Sequence, residues 1–352
     1  MFRNRIFIVE NAIVVPADRK GGAFGVLAAD GTFIDASTEY VRNFGAVRRP
    51  DLADIPGPIP TVSGTYLYAG WMKRHFGHFM IESISRFWAI SASGLDVDGV
   101  AFAAFAPRTI WQSRRTFRKP LDFFLNGLTD LPVTQPTRFE RLIVADPAIG
   151  LNDRLVGSPM MRNFLASLPL PAPSPDLPGK IYLTRSQLGP NKGTILGESH
   201  LEDLLVRQGY VPVALEQHPF EEQIRFIRSA DAIISQDGTP MHMAAYFANG
   251  TARCAMIARR PGIEFERIAA QFEMLQGRPL EAIDLVEEIW VDVSKRRNVD
   301  SGMSLVGFAK LGKRLKECGF IDTDAGFDDL PPALIRDEIE RRNPAMVAKP
   351  RP

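Results

Sequence analysis

Between Lys180 and Ala258 the chain alternates buried-strand patterns with helical ones, and this rhythm constrains the fold more than any other feature. Lys180 to Thr184 is a short apolar run. Glu198 to Gln208 places Leu201, Leu204 and Leu205 on one helical face and meets Gly209 as a stop. Tyr210 to Leu215 is the next strand. Pro219 to Ser229 is a helix with Phe220, Ile224 and Ile227 at inward spacing. Ala232 to Ser235, Pro240 to Ala248 and Arg253 to Ala258 continue as strand, helix and strand. Strands alternating with helices require a parallel sheet with helices on its faces. Right-handed crossovers then give a Rossmann-like domain.

This region is bounded upstream by Leu168 to Gly179, where alternate prolines favour an extended, semi-rigid linker. Before it, Phe7-Ile8-Val9, Ala12 to Val15 and Arg141 to Ala145 read as strands. Asp30-Gly31 reads as a hairpin-type turn, and about His78 to Ser91 as a helix. After it, a strand is expected at Glu288 to Val293 and helices at about Ser304 to Glu317 and Leu334 to Arg342. Met346 to Pro352 is expected to fray. The domains expected are 1–170, a linker at 171–179, 180–330, and a C-terminal helix and tail at 331–352.

Charge decides against a dedicated nucleic-acid binder: 42 Lys and Arg against 41 Asp and Glu leave a net charge of +1. No apolar run reaches the length of a membrane span, and the short one at Ile6 to Val9 is broken by Glu10 and Asn11, too early for an export signal. The two cysteines, Cys254 and Cys318, offer neither a disulfide framework nor a CxxC zinc site, which fits a reducing, cytoplasmic compartment.

Two constellations carry chemistry. In the first, Phe79, Met80, Ile81, Ile84, Phe87 and Trp88 spread apolar surface around most of a helix, which implies burial. Yet His78, Glu82 and Arg86 fall at i, i+4 and i+8 on one face. Buried charges are costly, so the stripe either pairs internally as a structural network or lines a cavity. Glu82 is placed to raise the basicity of His78 or to pair with Arg86. His75, His78 and Glu82 also admit a metal-dependent hydrolase, although they lack the spacing of known zinc motifs.

The second constellation lies where ligands bind in open α/β sheets, at the carboxyl ends of strands. Arg185 follows one strand, and its loop carries Asn191 and Lys192, cations and amides suited to phosphate. Asp237-Gly238-Thr239-Pro240-Met241-His242 follows another. Gly238 permits the tight turn, Thr239 is a good N-cap, and Pro240 suits the first helical position. That helix start suits a diphosphate. Neither GxGxxG nor GxxxxGK[ST] is present, so a dinucleotide dehydrogenase or a P-loop NTPase is unsupported.

Together these segments resemble glycosyltransferase family 61, particularly its bacterial branch linked to capsular and other surface polysaccharides. His75-Phe76-Gly77-His78-Phe79-Met80-Ile81-Glu82 with Arg86 is similar to the family's aromatic-His-aromatic segment with its acidic residue and arginine. Ile181-Tyr182-Leu183-Thr184-Arg185 is like its strand ending in Ser/Thr-Arg. Phe220 to Gln223 followed by Ala230 to Gly238 resembles its strand and glycine turn, except that Asp237 stands where many members have histidine, and Pro240 replaces a small residue.

The resemblance implies an α/β, GT-B-like architecture of two Rossmann-like domains facing a cleft, acceptor residues in the first and donor residues in the second. It implies an inverting transfer from a nucleotide-sugar donor to a glycan or lipid-linked glycan acceptor, with no obligatory metal or other cofactor. It places the protein in the cytoplasm, with peripheral contact at the inner face of the membrane. Glu82, slightly preferred, or His78 is the candidate base, with Arg86 orienting Glu82. Arg185, Asn191, Lys192, Asp237, Gly238, Thr239 and His242 are the candidate donor contacts, His242 taking over part of the missing histidine's role. The helix at Leu334 to Arg342 is expected to return to the first domain. The alternative is a catalytically inactive nucleotide- or glycan-binding protein of the same fold.

Overall fold

The computed structural model describes residues 4–17, 22–41, 45–105, 107–189, 192–260, 262–292, 301–342 and 345–350. The chain divides into two compact units, Met1–Pro169 and Leu170–Pro352.

The first unit contains strands β1 (Ile6–Val15), β2 (Gly25–Leu27), β3 (Tyr40–Val41), β4 (Gly45–Ala46), β5 (Thr61–Trp71), β6 (Gly99–Ala103), β7 (Thr129–Val133) and β8 (Thr137–Ala145). Its main sheet runs β2-β1-β8-β5-β6-β7. Strands β8, β5, β6 and β7 are mutually parallel, whereas β1 is antiparallel to both β2 and β8. Here the expected Rossmann-like unit becomes a mixed sheet: a parallel half extended by an antiparallel edge. Every residue of β6 is buried, as parallel strands covered on both faces require. The helices are α1 (Phe76–His78), α2 (Ala89–Ala92), α3 (Pro107–Thr116), α4 (Arg118–Leu125) and α5 (Pro159–Ser167).

One continuous helix was expected from about His78 to Ser91. Instead α1 passes into a π-helical turn at Phe79–Ser83, then irregular turns, then α2. The wider turn lets Phe79, Met80, Ile81 and Ser83 all become buried. It also ends the regular 3.6-residue repeat, so Arg86 leaves the face shared by His78 and Glu82.

The second unit contains β9 (Lys180–Leu183), β10 (Thr194–Ile195), α6 (Glu198–Val206), β11 (Val211–Val213), α7 (Phe220–Ser229), β12 (Ala232–Gln236), α8 (Thr239–Phe247), β13 (Arg253–Ile257), α9 (Ile263–Gln276) and β14 (Glu281–Ile283). Its sheet order is β11-β9-β12-β13-β14, and all its pairs are parallel. The first two strands therefore run one way from β9 and the later ones the other. Strand order reverses between β9 and β12, and in open α/β sheets the carboxyl ends beside such a switch point are where ligands bind.

A second sheet, β10-β16-β15-β17, joins β15 (Val286–Asp292), β16 (Met303–Val306) and β17 (Met346–Pro350) to β10. It corrects two expectations. The segment from Ser304 to Glu317 is strand before it is helix: Met303 and Ser304 pair with Trp290 and Ile289, Gly307 breaks the run, and α10 (Phe308–Glu317) follows. The tail does not fray at Met346–Pro350, because that stretch pairs antiparallel with β15. Helix α11 (Pro332–Arg342), expected to return to the first domain, packs in the second. Glu338 Oε2 accepts the Gly197 amide at 2.7 Å, and Ile339 joins Leu196, Met303 and Met346 in one apolar cluster.

Candidate functional site

In the first unit the π-helical turn presents a short chain of polar contacts. His78 Nδ1 lies 2.5 Å from Glu82 Oε2, and Lys73 Nζ lies 2.8 Å from Glu82 Oε1. Lys73 follows the end of β5, and its backbone amide donates to Ser83 Oγ at 2.8 Å. Its ammonium also stands over the Trp71 ring, 3.6 Å from the centroid. Burial pushes the Glu82 carboxyl up, but the His78 hydrogen bond and the Lys73 charge outweigh it, so the carboxyl titrates below its ordinary range. An ionised Glu82 accepts only, so His78 Nδ1 carries the hydrogen between them and Nε2 is the basic nitrogen. The Glu82 side chain is 9% exposed and that of His78 37%. The imidazole is thus the solvent-facing member of the pair.

Arg86 was expected to orient Glu82, and the structure corrects this. Its Nη1 donates to Glu39 Oε1 at 2.6 Å, and Nε and Nη2 donate to the carbonyls of Ala145 and Ala36 at 3.0 and 3.1 Å. Arg86 instead ties the π-turn to β8 and to the 3₁₀ turn Asp35–Ser37. Beside this pair is a cavity of about 200 Å³, lined by Glu82, Ser85, Glu39, Thr38 and the loop from Pro147 to Arg154.

In the second unit the ends of β9, β12 and β13 converge at the start of α8. Arg185, only 6% exposed, donates from Nε and Nη2 to the Gly193 carbonyl at 3.0 and 2.9 Å. Burial pulls its guanidinium pKa down from the ordinary value, countered in part by Glu198 and Asp237. The Arg185 amide donates to Glu198 Oε1 at 2.7 Å. Glu198 also accepts from Tyr182, Thr184 and Thr194, and Gln236 bridges Tyr182 to the Ile195 amide. This buried network fixes the ends of β9 and β12 against each other.

Gly238 has φ +133°, a backbone conformation that side chains rarely adopt. A Cβ there would lie 3.4 Å from Arg185 Nη1 and 3.8 Å from Arg259 Nη2. The expected cap differs in detail: Gly238 occupies the N-cap, Thr239 opens the helix, and no side chain caps it.

Asp237 is fully buried. Its Oδ1 accepts the amides of Arg259 and Arg260 at 2.7 and 3.1 Å, and its Oδ2 accepts Arg260 Nε at 2.9 Å. Burial raises this carboxyl, but the charges of Arg259 and Arg260 outweigh it and hold it below the ordinary range. His242 Nδ1 donates to Gln271 Oε1 of α9 at 2.5 Å. Lys192 is exposed at the rim of the Arg185 loop, and Asn191 lies outside the described residues.

Arg185, Gly238 and Thr239 therefore meet at the switch point, while Asp237 and His242 face into the protein. Lys73, Glu39, Glu198, Arg259 and Arg260 were not singled out from sequence. The strand-end rule that selected Arg185 and Asp237 also marks Arg259 and Arg260, which follow β13 after Ala258. Among the described residues no group of three or more His, Cys, Asp or Glu side chains is arranged to hold a metal ion, so His75, His78 and Glu82 do not form such a set. No helix there is long and apolar enough to cross a membrane.

The chain is a mixed α/β protein whose second unit has a parallel sheet with its switch point beside Arg185 and Arg259. The family model described as Glycosyltransferase 61 matches residues 76–254, half of the chain, from α1 into the start of β13, and the chain belongs to that family. No curated protein matches the sequence.

Proposed function

We propose that the protein is an inverting glycosyltransferase that moves a sugar from a nucleotide-sugar donor to a glycan acceptor. The observation that carries this reading is Arg185: buried, fixed through two of its nitrogens, and directed through the third at Gly238, where α8 begins at the switch point. Helix starts and fixed guanidinium groups both favour phosphate. The diphosphate of a departing nucleotide would be stabilised there as charge develops on it.

The first unit serves the acceptor in this reading, as the GT-B scheme assigns it. His78 Nε2 takes the proton from the attacking hydroxyl, and Glu82 holds the ring and offsets the imidazolium that forms. Lys73 keeps Glu82 ionised, which makes Glu82 a poorer proton acceptor than the histidine it supports. The hydroxyl attacks the anomeric carbon as the nucleotide leaves, with inversion. The role in surface-polysaccharide assembly at the inner face of the membrane belongs to the same proposal and is supported by the motif resemblance.

A thermal-shift screen with UDP-, GDP- and CMP-sugars tests the reading, because a ligand of the folded state raises its melting temperature. A shift with one nucleotide class, followed by transfer to a glycan acceptor, is expected. No shift with any class overturns the reading. Binding with no transfer to any acceptor favours an inactive binding protein.

A further inference from the structure

The mechanism above leaves Asp237, Arg259 and Arg260 without a task. Asp237 has no exposure to solvent, and both its oxygens are occupied by Arg259 and Arg260. It therefore cannot reach a ligand. What it does is shape the chain after β13: one carboxylate oxygen gathers two successive amides, and the Asp237 carbonyl accepts Arg259 Nε at 3.0 Å. The Arg259 carbonyl is pinned from the other sheet by Ser304 Oγ. Arg259 is thereby held at its amide, its carbonyl and its Nε, and its Nη2 approaches Gly238 from the β13 side as Arg185 Nη1 does from the β9 side: a Cβ on Gly238 would lie 3.8 and 3.4 Å from them.

We propose that Arg259 is a second donor-phosphate contact, facing Arg185 across Gly238, and that Asp237 is the positioning residue that holds it there. Two guanidinium groups from the ends of β9 and β13 then grip the diphosphate from two sides, with the α8 start between them. Arg260, bound to the same carboxylate, adds positive charge at the rim. The inference rests on the donor reading of the second unit, and it gives the buried carboxylate a reason: it neutralises part of a charge cluster that would otherwise repel itself when no phosphate is bound.

The test is calorimetry on the full chain with uridine, UDP, guanosine, GDP and inorganic pyrophosphate. The wild type is expected to bind a nucleoside diphosphate more tightly than its nucleoside. Arg259→Ala and Asp237→Asn should each weaken diphosphate binding about tenfold or more and leave nucleoside binding unchanged, since a charged hydrogen bond is at stake. The double variant should lose little beyond the larger single loss, because one residue acts through the other. Arg259→Lys should recover part of the loss.

If the wild type binds a diphosphate and Arg259→Ala binds it equally well, the inference falls and the donor reading stands. If Arg259→Ala weakens binding but a folded Asp237→Asn does not, the positioning role falls. Should Asp237→Asn fail to fold, Arg259→Ala and Arg259→Lys decide the phosphate contact. The positioning role then passes to Asp237→Glu, expected to keep the charge and lose diphosphate affinity through displaced arginines; unchanged affinity overturns it. If the wild type binds none of the diphosphates, the donor reading and the inference fall together.

Discussion

Arg86 pairs with Glu39, 47 positions away, and not with Glu82, four positions away. The pair is almost fully enclosed, with side-chain exposures of 1% and 10%. Breaking a buried pair by removing one partner strands the other charge, at a cost of about 3–5 kcal/mol. Arg86→Ala and Glu39→Ala should each lower the denaturation midpoint by a large margin. The Arg86→Met/Glu39→Leu double variant should be less destabilised than either alanine single. Denaturant melts of all three check this, and a double variant as unstable as the sum of the singles would contradict it.

That relationship shows where sequence stopped being informative. The second unit's strands and helices were legible because each reports its own burial through spacing: Ile233 and Ile234, or Ile224 and Ile227, need no distant partner to be recognised. The π-turn was not, because a regular repeat was extrapolated through Ile84, where the backbone leaves the helical region. Strand β16 was missed for a related reason: Met303 to Val306 becomes a strand only by pairing between β10 and β15, which local spacing does not encode. In the site, the i, i+4 spacing makes His78 with Glu82 a local contact, one of the two pairings that the stripe admits. Lys73 on Glu82, Glu39 on Arg86 and Arg259 on Asp237 are joined through tertiary structure, and a single chain gives no sign of them.

The proton-transfer assignment separates the two members of the dyad. His78→Asn removes the base and should lower transfer about a hundredfold to ten-thousandfold, the usual range for a general base, with donor affinity unchanged. Glu82→Gln should also abolish most transfer, because it loses the charge that supports an imidazolium, while nucleotide binding stays intact. Initial-rate kinetics and calorimetry on the same preparations decide this. Wild-type turnover by Glu82→Gln would sink the dyad.

Gly70 and Gly238 both have positive φ, yet alanine should fail at them in different ways. At Gly70, a Cβ would run into the Glu39 carboxylate and Arg86 Nη1, both rigidly held. Gly70→Ala should therefore destabilise the fold strongly, through backbone strain and through the broken pair. At Gly238 the nearest atom would be Arg185 Nη1 at 3.4 Å, ordinary contact. Gly238→Ala should cost only the backbone strain, of order 1–3 kcal/mol, while filling the space assigned to phosphate. The expected result is a folded protein with weakened diphosphate binding. Thermal melts beside calorimetry distinguish the two, and a Gly238→Ala protein that binds diphosphate normally would count against phosphate at that position.

The buried carboxylates predict opposite responses to pH. Glu82 and Asp237 titrate below their ordinary values of 4.5 and 3.8 in the folded protein. A depressed folded pKa contributes stability that is complete above the unfolded value and lost as pH falls through the folded one. The deficit of Asp237→Asn relative to wild type should accordingly be largest at neutral pH and shrink below about pH 4. Glu198 behaves the other way. Burial, the dominant influence, raises its pKa above 4.5 despite hydrogen bonds from Thr194 and from the Arg185 amide. Its contribution is complete below the unfolded value and is lost as pH rises through the folded one. Glu198→Gln removes that loss, so its melting temperature relative to wild type should improve steadily from pH 4 to pH 7. Melts of wild type, Asp237→Asn and Glu198→Gln between pH 3 and 7 give both slopes. A pH-independent deficit for Asp237→Asn would show that Arg259 and Arg260 do not hold its carboxylate ionised.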